Sequence, residues 1–129
     1  MKRRQTISGD GIPGHGQPFP PAVKLGNLVC SSAISGRDPV TGVLPESLDD
    51  QISNAFGHLE TIMRLAGGST ADIAKVVVYL TDRAHREAVN PHWIALFPDE
   101  DDRPVRHSLT LPLPAGFLIQ LEIIAMLEG

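Results

Sequence analysis

The chain is poor in several things, and each shortage removes a class of function. Of its 129 residues only Cys30 is cysteine. That excludes an internal disulfide and suits a reducing cytoplasm. Positive charge is scarce, with 11 Lys and Arg against 15 Asp and Glu, for a formal net charge of −4. Nucleic acid is therefore not expected as a partner, because phosphate contacts need clustered cations. No apolar run approaches the ~18 residues of a membrane span, so no membrane partner is expected either. The histidines His15, His58, His85, His92 and His107 include no close pair at metal-ligand helical spacing, and no metal is expected. "MKRRQT" resembles the basic start of a signal peptide, yet the polar "SGDGIPGHG" stands where the apolar segment should be.

What remains is an ordinary globular composition, 42% hydrophobic and 20% charged. With no internal repeat, the length suits one domain, residues 1–129. "GDGIPGHGQPFPP" (9–21) holds four Gly and four Pro in thirteen residues and must be a loop. "VKLGNLVCSSAI" (23–34) reads as two extended pieces around Gly26-Asn27, and "RRQTIS" (3–8) as a weak first strand. "GRDPVTG" (36–42) is a turn cluster. Ser47 and Asp50 open a helix whose apolar residues recur at Leu48, Ile52, Ala55, Phe56, Leu59, Ile62, Met63 and Ala66, and Gly67-Gly68 ends it. "DIAKVVVYLTD" (72–82) is β-branched and predicts a long central strand. Asp82 can cap a second helix through Phe97, with a kink or a restart at Pro91.

The last section, "PVRHSLTLPLPAGFLIQLEIIAML" (104–127), predicts a hairpin turning at Pro112–Gly116. Leu111 would then pair with Phe117, which sets Arg106 opposite Glu122 and Ser108 opposite Gln120 on one face. His107 alternates to the other face, toward the helices or a turn. An arginine in so apolar a place needs solvent, a carboxylate or an anionic ligand. A cross-strand ion pair with Glu122 and a clamp for a substrate carboxylate both satisfy that need. The strand over residues 117–127 is apolar on both faces, and the simplest cover for its outer face is a second copy of the chain. The order of elements gives an α+β layer, a six-stranded mixed sheet with two helices on one face.

Four segments in register, "LGNLVCSSAISGRDPVTG", "QISNAFGHLETIMRLAGGSTADIAKVVVYLTD", "VNPHWIALF" and "PVRHSLTLPLPAGFLIQLEIIA", resemble the YjgF/RidA family of reactive-intermediate (enamine/imine) deaminases. The resemblance covers Pro18 to Met126. It implies a chorismate-mutase-like fold and a homotrimer around a central barrel, with sites between neighbouring subunits. It also implies hydrolysis of 2-imino or 2-enamino acids to 2-keto acids and ammonia without any cofactor, a form of metabolite damage control. Arg106 stands at the family position that binds the substrate carboxylate, and Phe19, Ser32, Ala33 and Ser108 fall at substrate-binding positions.

Several positions depart from the family pattern. Gln120 replaces the glutamate that handles the water, and an amide can orient water but cannot take its proton. Glu122, on the same face, is the remaining candidate for that role. Phe19 replaces a tyrosine, Ala33 a glycine, Ser108 a cysteine and Trp93 a tyrosine. These changes point to a different, more apolar imino acid than the smallest one. Two alternatives stay open. One is a non-catalytic, chaperone-like trimer that binds small carboxylates. The other is a catabolic deaminase for an aminomuconate-type dicarboxylate, for which Arg37 and Arg103 are the candidate second cations. Cys30, Ser31 and the acidic run "DEDD" (99–102) have structural or solvated readings.

Overall fold

The computed structural model describes all 129 residues. Seven strands, β1 (Arg4–Ile7), β2 (Ala22–Leu25), β3 (Leu28–Ser31), β4 (Ile34–Ser35), β5 (Ile73–Leu80), β6 (Val105–Thr110) and β7 (Ile119–Met126), form one sheet with helices α1 (Leu48–Leu65) and α2 (Arg86–Leu96). The spatial order is β1-β2-β3-β7-β5-β6, and the two-residue β4 also pairs with β7. This short strand is the one element beyond the six expected. It forms where Ile34 and Ser35 meet Leu121 and Gln120.

Local signals explain most boundaries. Leu25 pairs with Leu28 across Gly26-Asn27, and Gly26 takes the positive φ of 60° that the tight turn requires. Ser47 Oγ accepts the Asp50 amide at the start of α1. At its end the Gly68 amide donates to Met63 O, which Gly67 permits with φ 90°. Asp82 accepts the Ala84 amide at 2.9 Å and caps a 3-10 turn, Arg83–His85, rather than the helix itself. The helix begins at Arg86, with Pro91 at its sixth position. The restart therefore lies before the proline.

One expectation fails, and it matters for the site. β6 and β7 do not form a hairpin, because β5 lies between them, parallel to β6 and antiparallel to β7. The reason is topological. β5, α2 and β6 make a strand–helix–strand crossover, which returns the chain parallel to β5 along one of its edges. β7 then takes the other edge. β5 needs both neighbours, since Val76, Val77 and Val78 in succession are buried. The expected opposition of Arg106 to Glu122, and of Ser108 to Gln120, is thereby overturned. Arg106 aligns with Val76, which aligns with Ile123.

The core lies between the sheet and the helices. Ile52, Leu59, Ile62 and Met63 of α1 meet Val76, Val78 and Leu80 of β5 and Ile119, Leu121 and Ile123 of β7, each at most 1% exposed. Each such side chain contributes on the order of 1.5–3 kcal/mol relative to exposure. Val89, Trp93 and Phe97 close the α2 side. The opposite sheet face is uncovered and leaves large apolar side chains exposed: Val105 is 64% exposed, Met126 57% and Ile124 40%.

Candidate functional site

The chain carries two separate constellations. The first lies at the sheet edge. Arg106 and Ser108 align with the buried Val76 and Val78, so their side chains lie on the helix side. His107 takes the uncovered face, the reverse of the sequence expectation. Arg106 Nη2 donates to Asn90 Oδ1 at 2.8 Å, and the guanidinium carbon sits 5.1 Å from the centre of the Trp93 ring. Asn90 and Trp93 are three residues apart on α2 and so share a helix face. Burial pushes the Arg106 pKa below the usual guanidinium value, and the charge of Arg86 pushes the same way. No carboxylate offsets this, for the only ion pair within 4.0 Å in the chain joins His92 to Asp49. Arg106 is thus a half-buried cation held by an amide and a π face, with no counter-charge. That is the electrostatic profile of an anion site.

The second constellation is a cavity of about 280 Å³ beside β4 and β7, lined among others by Phe19, Ser32, Ala33, Arg37, Phe117 and Gln120. Phe19 packs against His15 with ring centres 4.5 Å apart and the planes tilted by 32°. The Ser32 hydroxyl lies within hydrogen-bonding distance of Pro20 O and Pro21 O, at 3.3 and 3.1 Å, so it secures the Gly/Pro-rich loop. Ser31 Oγ accepts the Ile123 amide and fills the break between β3 and β4. Gln51, fully buried, anchors the backbone on both sides of Phe117. Its Nε2 donates to Pro45 O and Gly116 O, and its Oε1 accepts the Leu118 amide.

Gln120 and Glu122 pair with Tyr79 and Val77 on the uncovered face of the sheet. Glu122 Oε2 accepts the Tyr79 hydroxyl at 3.4 Å. Burial holds that hydroxyl above its ordinary pKa of 10.0, and the charge of Glu122 adds to the effect. Of the residues singled out from the sequence, the cavity collects Phe19, Ser32, Ala33, Gln120 and Arg37. Arg106 and Ser108 stand apart from it, and Glu122 lies beyond it on the open face. Between Arg106 and Gln120 lie two strand spacings, three positions of register and the thickness of the sheet. At ~4.8 Å per strand and ~3.3 Å per residue, one small molecule cannot touch both within one chain. No three His, Cys, Asp or Glu side chains converge as metal ligands.

Sequence reasoning missed Asn90 and Gln51. Asn90 was legible as a polar residue one helical turn before Trp93. Gln51 lay unmarked beside the apolar stripe of α1.

A family model described as "Endoribonuclease L-PSP" matches residues 13–127. The 2-iminobutanoate/2-iminopropanoate deaminase of Salmonella typhimurium is 28% identical over 95% of this chain and 97% of its own length. Reactive Intermediate Deaminase A, chloroplastic, of Arabidopsis thaliana is 28% identical over 97% of this chain and 67% of its own length. The crystal structure of RidA from the Antarctic bacterium Psychrobacter sp. superposes with a TM-score of 0.88 at 32% identity, covering 95% of this chain and 99% of that one. No helix here is long and apolar enough to cross a membrane. With the two helices, the mixed sheet and nearly the whole length matched, the chain belongs to the YjgF/RidA family.

Proposed function

We propose that the protein is a deaminase of reactive 2-imino and 2-enamino acids, with Arg106 as the clamp for the substrate carboxylate. One observation carries the reading. Arg106 is held in place by neutral groups, Asn90 and Trp93, and has no carboxylate of its own. A guanidinium so placed can take a bidentate carboxylate at its free edge.

Because Arg106 and the Gln120 cavity cannot meet within one chain, the site is completed between copies, one supplying Arg106 and Ser108 and its neighbour the cavity. The uncovered apolar sheet face, with Ile124 and Met126, is the surface on which the copies would meet. A homotrimer with three such sites satisfies both requirements.

In the reaction a water oxygen bonds to the imine carbon, and the C=N electron pair moves to nitrogen, which takes up a proton. The resulting carbinolamine loses ammonia as its C–N bond breaks, and its hydroxyl gives up a proton to form the keto C=O. Water is consumed, ammonia and a 2-keto acid are released, and no electron acceptor is needed. Arg106 keeps the carboxylate fixed throughout. Gln120 Oε1 can accept a hydrogen bond from the water and aim it. Glu122 is the carboxylate on the same face that can receive its proton, once the Tyr79 hydroxyl is displaced.

The test generates imino acids in situ with an amino-acid oxidase and follows imine loss with and without protein. Wild type should accelerate the loss over buffer, and Arg106→Ala should not. Equal acceleration by both proteins, or none by wild type, removes the assignment. Gln120 favours a second reading, a carboxylate-binding protein without turnover. Calorimetric binding of keto acids with no imine hydrolysis would establish it instead. The matched family model carries the word endoribonuclease, but the net charge of −4 does not favour an RNA substrate.

A further inference from the structure

The Gln120 cavity is more electropositive than its chain. None of its lining residues is Asp or Glu, although the chain as a whole carries an excess of acids. It contains a guanidinium, that of Arg37, which the deaminase reading does not use. That side chain is built into place. Its Nη1 donates to Gly42 O at 3.0 Å, and its guanidinium carbon lies 5.0 Å from the centre of the Phe117 ring. Its backbone is pinned as well, since His58 Nε2 lies 2.6 Å from Arg37 O. The preceding Gly36 accepts Asn54 Nδ2 at 3.1 Å. Gly36 also sits so close to α1 that a Cβ there would come within 2.6 Å of Gln51 Cα.

Yet this fixed cation has no carboxylate within 4.0 Å. The neighbouring Asp38 is turned the other way, its Oδ1 taken by the amides of Val40 and Thr41. Arg103, the other loop arginine, is not available to this cavity, since its Nε donates to Phe97 O at the end of α2. A guanidinium held over an aromatic ring, with its remaining N–H groups unclaimed, is preorganised for a second anionic group. The space fits a small molecule, because 280 Å³ corresponds to on the order of nine waters at ~30 Å³ each.

We infer that Arg37 is a specificity residue, and that the preferred substrate is a 2-imino acid bearing a second carboxylate on its side chain. This deepens, and rests on, the deaminase reading. The α-carboxylate docks on Arg106 of one copy, the imine carbon lies near Gln120 of the neighbour, and the distal carboxylate reaches that neighbour's Arg37. The assignment revises the expectation of a more apolar substrate. Phe19 and Ala33 make one wall apolar, and Arg37 sets the charge that the far end must carry.

The experiment compares imines made in situ from aspartate and glutamate by a D-aspartate oxidase with imines made from leucine and methionine by an amino-acid oxidase. Each rate is corrected for hydrolysis in buffer. Wild type should favour the dianionic imines. In Arg37→Met that preference, read as the ratio of the two kcat/KM values, should fall about ten- to a hundredfold, as expected for a lost charge-assisted hydrogen bond. Arg37→Gln keeps a donor for Gly42 O without the charge, and should lose the same preference if the charge is what matters. A wild type that favours the apolar imines, or variants that lower both rates in equal proportion, overturns the assignment and leaves the deaminase reading standing. Acceleration of no imine at all overturns both.

Discussion

Asn90 does for Arg106 what a carboxylate would do, but without neutralising it. The amide oxygen fixes one nitrogen at 2.8 Å and leaves the charge without a counter-ion within the chain. Asn90→Asp therefore tests the site more sharply than truncation does. The variant is nearly isosteric, so the fold should hold and the melting temperature should not fall. The new carboxylate would pair with Arg106 and compete with any acid from solution. Calorimetry with a keto acid should show affinity reduced by at least about tenfold, the equivalent of losing ~1.5–3 kcal/mol of charged hydrogen bonding. Asn90→Ala should cost less, because it loosens the guanidinium without neutralising it. Unchanged affinity in Asn90→Asp would mean that Arg106 is not the clamp. The need of Arg106 for a partner was legible in the sequence, because an arginine among aliphatic residues raises that question by itself. The partner was not legible, since it comes from a helix 16 residues away, and periodicity within one strand carries no information about a neighbour packed over it.

Among the elements, the turn that carries Arg37 toward the cavity has its own pH dependence. Asp38 Oδ1 accepts the amides of Val40 and Thr41 at 2.8 and 2.9 Å. These hydrogen bonds hold its carboxyl below its ordinary pKa of 3.8. A carboxylate whose folded pKa is depressed contributes stability that is fully present above the unfolded value and fades as pH falls through the folded one. Thermal melts between pH 5 and pH 2 should therefore fall more steeply for wild type than for Asp38→Asn, with the difference opening below about pH 4. Parallel curves would show that the turn does not depend on the charge. Turn and helix boundaries of this kind could be read from local residues, Ser47, Gly26 and Gly67 among them. Strand neighbours could not. Alternation assigned Gln120 and Glu122 to one face correctly, but it is silent on which strand lies alongside. The crossover through α2 was the signal that β6 belongs beside β5, and the shared apolar character of β6 and β7 suggested a hairpin instead.

For the molecule as a whole, the proposed site would tie activity to assembly through the uncovered sheet face. Ile124, 40% exposed in the single chain, sits near its middle, opposite Cys30 on β3. Ile124→Glu would place a charge where copies are proposed to meet. Light scattering should then report the mass of one chain in place of three, and imine hydrolysis should vanish even though Arg106 and the cavity are intact in each copy. A monomer that still turns over imines would require a site within one chain. The apolar outer face was legible from the double-sided hydrophobicity of β7, and the family resemblance implied sites between subunits, but which residues the proposed site takes from each copy depended on the strand order, which alternation does not disclose. That order also bears on how the protein is made. β7 is the only link between the β1–β3 meander and the β5–β6 pair, and it follows every other strand along the chain. During synthesis the two half-sheets stay unjoined until residues 119–126 are available, so closure of the sheet waits for β7. Such distant pairing slows folding, and a chaperone that shields apolar strands would act during that interval.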